Sequence, residues 1–321
     1  MQLGKLEIAL FEVEKALSID PTNFWNITAK ARVYRYLEDL KKAENTYWQL
    51  MEVTEPAASY IAANGASSLS LIWGKYREAE SMLNQGIARL QMFKVKWVES
   101  EWRKKLAYIH YQTDNNEEAL KECGEALENA IQADRDSFDL QRSAMHMKGL
   151  VQVANHSIAE AQRTADGLKE FIEAGIHKKS IRLYYHLMGR IEIERGNYSK
   201  AIGLLQEALA LSSFHRNQFQ AALTEGMNEI FLESLALAFY KSEDLKKAQD
   251  QYKNLIALTP GDMFYGDIYT KSFYMLGKIY EEQGDSAKAI EHYEKFLYLW
   301  KEADPGLAEV EDARTRLRGL K

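Results

Sequence analysis

FYMLGKIYEEQGDSAKAIEHYEKF, residues 273–296, reads as two helices joined by a turn. Phe273, Leu276, Gly277 and Tyr280 recur at three- and four-residue steps, the period of one face of an α-helix. Gly284 breaks the run, and Ala289, Tyr293 and Phe296 start a second apolar stripe. The small residue that opens this second stripe recurs through the chain as Ala9, Ala43, Ala79, Ala119, Ala161, Ala201, Ala248 and Ala289, at intervals of 34 to 47 residues. An Ala at that point lets two helices approach more closely than a Leu would, so the series marks a repeated helix pair.

The layout resembles the tetratricopeptide repeat, a helix-turn-helix unit of about 34 residues carrying an aromatic, a Leu-Gly pair, a Tyr, a turn Gly, then Ala, aromatic and Ala. The second unit keeps Ala31 at the Gly position, then Tyr34, Ala43 and Tyr47; the third keeps Gly74, Tyr76 and Ala79. That third unit carries Ala63, Ala66, Ser67 and Ser70 in place of large first-helix residues, which predicts helices in unusually close contact. Leu106-Ala107 with Asp114, Gly149 with His156, Met188-Gly189 with Gly196, and Leu235-Ala236 with Ala248, Tyr252 and Pro260 continue the pattern. Residues 212–229, SSFHRNQFQAALTEGMNE, read as extra helix or loop between the sixth and seventh units.

The resemblance implies an all-α fold: a right-handed superhelix of about seven and a half helix-turn-helix units, forming one domain over residues 1–321. A half unit spans 1–23, full units start near 24, 60, 100, 142, 182, 229 and 270, and Asp304-Pro305-Gly306 leads into a charged capping helix at 306–320. In the half unit, Leu3-Gly4 stands where the turn belongs and Ala9, Val13, Ala16 and Pro21 follow the second-helix pattern. Its first helix is missing, which predicts that Met1 is a truncation or that another surface covers this apolar end, in the second case as a homodimer. Residues from Glu233 onward also resemble the carboxyl-terminal repeat region of large bacterial signalling proteins.

Composition narrows the function classes. The formal net charge is −6 and neither half is basic, against direct nucleic-acid binding. One cysteine, Cys123, excludes an intramolecular disulfide and paired-Cys metal spacing. The most apolar stretch, 57–73, falls short of a membrane span, and no secretory signal opens the chain, so a cytoplasmic protein without membrane insertion is expected.

Catalytic signatures are missing from the sequence: no phosphate-cradling Gly loop, no Gly-x-Ser-x-Gly elbow and no His-Glu-x-x-His, so no enzyme and no cofactor is expected. The seven histidines are scattered over different units without ligand spacing. Lys94, Lys96, Arg103, Lys104 and Lys105 form one basic cluster, readable as a phosphate or acidic-peptide site or, more commonly, as a solvated helix face.

The resemblance implies that a protein or peptide partner binds the concave face built by the first helices. Its interface-forming residue types there are Trp25, Arg32, Arg35, Tyr36, Lys104, Tyr108, Tyr111 and Arg190. A Lys/Asn/Arg set for chaperone carboxylate tails is not matched, since Thr28 and Arg32, Asn64 and Ser68, and Lys104 and Tyr108 stand at those positions. A self-assembling module and a sensor of a small ligand or peptide are the alternatives.

Overall fold

The computed structural model describes residues 3–53, 55–90, 93–134, 136–212, 228–258 and 263–321. Among these are sixteen α-helices and no strand. The unpaired α1 (Leu3–Ile19) is followed by the pairs α2 (Phe24–Tyr36) and α3 (Leu40–Met51), α4 (Pro56–Ile72) and α5 (Tyr76–Leu90), and α6 (Lys96–Gln112) and α7 (Asn116–Gln132). Then come α8 (Ser137–Ala154) and α9 (Ile158–Ala174), and α10 (Ile181–Glu194) and α11 (Tyr198–Leu211). The last pairs are α12 (Asn228–Lys241) with α13 (Leu245–Ala257) and α14 (Asp267–Glu282) with α15 (Ser286–Leu299), before the final α16 (Ala308–Leu320). Of the extra segment read at 212–229, residues 213–227 lie outside the described residues, as does Pro260.

The seven turns within the pairs share one backbone solution. Glu38, Gly74, Asp114, His156, Gly196, Glu243 and Gly284 all adopt left-handed φ values between 53° and 79°. The N–H of each following residue donates to the carbonyl five residues earlier, from Asp39 to Tyr34 through Asp285 to Tyr280, at 2.9–3.0 Å. This is the cap that satisfies the orphan carbonyls of a helix end. Asp39, Asp244 and Asp285 then cap the next helix by accepting the N–H of Lys42, Lys247 and Lys288. The hexapeptide EDLKKA occurs at both 38–43 and 243–248 and builds the same turn twice.

Behind the turns the pairs close on small residues. Every alanine of the series from Ala43 to Ala289 is fully buried. A Cβ on Gly277 would sit 2.6 Å from the Tyr293 ring, and one on Gly189 would sit 2.6 Å from Leu205, so the glycine of the Leu-Gly pair is set by close approach.

First helices pack on one another from unit to unit, whereas second helices pack on the first helices of their own and the next unit. The first helices are therefore the inner layer. That layer closes on itself, because α14 packs against α4, across 198 residues at the Thr270 hydroxyl and the Ile72 carbonyl. The small residues of α4, read as a sign of close packing within its own unit, serve neighbours on both sides. Gly65 lies under the Tyr47 ring, and a Cβ on Gly266 would come 2.2 Å from the Ser68 carbonyl. A second clasp joins the turn at Gly74 to the far end: the Asp304 N–H donates to the Gly74 carbonyl, the Arg77 N–H to the Asp304 carboxylate, and Trp300 Nε1 to the Ile72 carbonyl. At the other end α1 leaves Ile8 and Phe11 about two-thirds exposed, at 65% and 64%.

Gly74 combines a φ of 69° with a Cβ position 2.8 Å from that of Ala303, so Gly74→Ala lowers stability by about 2 kcal/mol or more. Glu243 holds the same backbone with a side chain, so Glu243→Gly raises stability by about 0.5 kcal/mol. Urea midpoints of the two variants against the parent check both signs.

Candidate functional site

At the centre of the inner layer lies a cavity of about 240 Å³. Its wall follows the repeat: Tyr108, Leu150, Arg190 and Leu237, each one residue after the Gly or Ala of its Leu-Gly pair, all face it. Tyr111 and Gln112 join from the end of α6, His186 and Glu233 from α10 and α12, Lys271 and Tyr274 from α14, and Glu309 from α16. Aliphatic side chains of Leu150, Ile230, Leu237 and Ile268, with the Met275 thioether, fill the remainder.

Two cations are held in place. Arg190 donates to Glu233 at 3.3 Å, to the Ser234 hydroxyl at 3.3 Å and to the Tyr111 hydroxyl at 3.4 Å. Burial alone would lower its pKa, but Tyr111 and Glu233 hold it above the ordinary value. Lys271 donates to Gln112 at 2.6 Å and pairs with Asp267 and Glu309 at 3.5 and 3.4 Å. There too burial opposes the charge, and Tyr76, Asp267 and Glu309 keep it firmly protonated. Asp267 is fully buried and accepts the hydroxyls of Tyr76 and Tyr108, each at 3.0 Å.

Beside the cavity, His146 and His186 share a hydrogen bond of 2.8 Å, and His186 bonds the Ser234 hydroxyl at 2.9 Å. Phe231 stacks on His186 at 4.3 Å between centroids. Burial holds both rings neutral: His146 falls to about 3, with Lys104 and Arg182 adding to the shift, and His186 falls well below its usual value. The pair was hidden by the separation of 40 residues. The signal was present, because each histidine stands three residues before the Gly of its pair, at Gly149 and Gly189.

Of the residues expected on the concave face, the structure brings Tyr108, Tyr111 and Arg190 to one cavity. Lys104 is buried to one side, bonding Glu101 at 2.8 Å and Ser143 at 2.7 Å. Arg35 is buried away from the cavity, donating to the Tyr47 hydroxyl and the Met263 carbonyl. Arg32 and Tyr36 are half-buried, and Trp25 stays exposed against Phe24. The basic cluster of residues 94–105 is not one patch. Lys96 turns to Asn129 and Glu99, Arg103 to Glu122 and Glu125, and Lys105 is wholly buried, because successive helix positions point to different faces. Cys123 is buried too, which pushes its thiol up to about 12. Asp267 and Lys271 were missed because α14 begins at 267, before the apolar period of its unit becomes visible.

A family model described as tetratricopeptide repeat matches residues 270–299. Among solved structures, the human IFIT1 dimer with PPP-AAAA superposes with a TM-score of 0.53 at 14% identity, covering 97% of this chain and 68% of that one. A Rap protein complexed with competence and sporulation factor gives 0.51 at 12% identity, covering 99% and 98%. A tetratricopeptide repeat protein from Parabacteroides merdae gives 0.47 at 15% identity, covering 92% and 98%. No curated protein matches the sequence. Residues 270–299 thus match the tetratricopeptide repeat, and the chain as a whole has the fold of an α-solenoid. Among its described residues no helix is long and apolar enough to cross a membrane.

The folded pKa of His146 lies near 3 against about 6.5 in the unfolded chain, so the folded state binds fewer protons in that window. The stability contributed by the neutral pair is full above pH 6.5 and is lost as pH falls toward 3. Glu229, raised to about 7 by burial, acts with the opposite sign: its contribution is present below pH 4.5 and is lost as pH rises through 7. His146→Asn, measured against the parent by urea midpoint across pH 7 to 4, flattens the acid-side loss, and parallel curves would contradict this reading.

Proposed function

We propose that the chain is a non-catalytic interaction module that takes a segment of a peptide or protein partner on the inner face of its superhelix, anchored in the central cavity. The observation that carries this reading is the convergence of Tyr108 and Tyr111 of one unit and Arg190 of another on one cavity with apolar walls. Its volume of about 240 Å³ is below the roughly 300–1,000 Å³ of a small-molecule site, so it suits one large side chain of a partner rather than a whole cofactor. Arg190 and Lys271 offer donors to partner carbonyls or a carboxylate, and Glu233 and Glu309 offer acceptors to partner amides.

Support also comes from proteins of the same fold whose structures contain a ligand: the Rap protein is complexed with competence and sporulation factor. The resemblance of residues 233–321 to the repeat regions of bacterial signalling proteins supports reading the chain as a cytoplasmic arm of such a protein.

The test is selection of a displayed random-peptide library on the whole chain, followed by affinity measurement of the selected peptides. Arg190→Ala weakens them by more than tenfold, about 2 kcal/mol, with unchanged far-UV dichroism. Tyr111→Phe weakens them less, because only a hydroxyl is removed. Selected peptides that bind the parent and Arg190→Ala equally would contradict the assignment.

A further inference from the structure

Residues 263–267, Met-Phe-Tyr-Gly-Asp, lead into α14 and are gripped by side chains from four helices of the inner layer and, at Asp267, by Tyr76 at the start of α5. Arg35 of α2 donates to the Met263 carbonyl at 3.2 Å, and Ser68 of α4 donates to the Phe264 carbonyl at 2.8 Å. Glu229 of α12 accepts the N–H groups of Phe264 and Tyr265 at 2.8 and 3.2 Å. Lys105 of α6 stands 4.1 Å from the centre of the Phe264 ring, and Tyr108 packs on Tyr265 at 4.0 Å. Gly266 lies flush on the α4 backbone, and two tyrosine hydroxyls take Asp267.

Main-chain groups satisfied by side chains, with separate pockets for the side chains of a segment, are the way a groove holds a peptide. Here the segment bends at Phe264 and Tyr265 and turns at Gly266 into α14. A core that needed only to be filled would not bury Arg35, Lys105 and Glu229, since charged groups are costly to remove from water. Here each of them meets the segment and serves its recognition.

We propose that the inner surface of α2, α4, α6 and α12 is a peptide-binding groove, filled in this chain by its own residues 263–267, and that it accepts in trans a partner segment of the same chemistry: two adjacent aromatic residues followed by Gly and Asp. Lys105 over the first ring and Tyr108 against the second select the aromatics. The backbone of α4 selects Gly, because any side chain there meets the Ser68 carbonyl. Tyr76 and Tyr108 select the carboxylate. The groove is separate from the central cavity in its gripping residues, apart from Tyr108, so neither proposal depends on the other.

The experiment uses the whole chain and a fluorescein-labelled peptide of residues 263–269, MFYGDIY. In Phe264→Ser/Tyr265→Ser the internal occupant is weakened while the groove wall is intact, so the peptide binds at least tenfold more tightly than to the parent. Adding Arg35→Met and Lys105→Met removes that gain, whereas adding Arg190→Ala leaves it unchanged. A folded, monomeric double variant that binds no better than the parent overturns the proposal. A double variant that dimerises by light scattering and binds the peptide no better than the parent overturns it equally. The parent itself gives a readout that requires no variant: excess unlabelled peptide accelerates hydrogen exchange at the Phe264 and Tyr265 amides, and unchanged exchange overturns the proposal.

Discussion

The closure of this solenoid depends on a contact that only glycine can make. With no Cβ, Gly266 brings the main chain ahead of α14 against the Ser68 carbonyl and Ile72 of α4, where any side chain would meet backbone at 2.2 Å. That approach sets the depth at which the segment docks. From it follow the Arg35 and Ser68 bonds to the main chain, the burial of Asp267 between Tyr76 and Tyr108, and the bond from Thr270 to the Ile72 carbonyl. The run of Ala, Gly and Ser in α4 is the other half of the constraint. A helix lined with Leu would hold the segment away, and the inner layer would stay open.

The closed inner layer explains the pattern of charge. An ion in the interior persists only when it is paired and bonded, because the cost of desolvation is several kcal/mol per group. Arg190 and Lys271 meet that condition through Glu233, Tyr111, Asp267 and Glu309, and both stay protonated. Lys105 meets it less well. It has a carbonyl, a hydroxyl and a ring as neighbours, and burial pushes its pKa well below the ordinary lysine value, with Arg35 adding to the shift. The two halves of the inner face thus differ in kind, one filled by the chain itself and the other keeping a charged cavity.

Local structure was legible where it is written in the period of the chain. The alanine series from Ala43 to Ala289, Gly189 and Gly277 of the Leu-Gly pairs, and the turn positions each report structure within one unit, and each lies where the helix pairs require it. Gly149, by contrast, also meets Leu187 of the next unit, and Gly74 meets Ala303. Four left-handed turns were harder to read because Glu38, Asp114, His156 and Glu243 stand in for glycine. What the sequence hid is long-range: nothing in the residues of α4 or near Gly266 states that positions some 200 residues apart will touch. His146 and His186 were visible as single residues, and their hydrogen bond exists only because successive first helices stack in register. The same stacking brings Tyr108, Tyr111 and Arg190 to one cavity and leaves Trp25 outside it.

Small-angle scattering of the monomeric chain in solution tests the closure most directly, because an open and a closed solenoid of equal helicity differ chiefly in extent. Docking of α14 on α4 predicts a radius of gyration close to the roughly 20 Å of a compact chain of this length. A much larger radius, with the elongated distance distribution of an open superhelix, would contradict it.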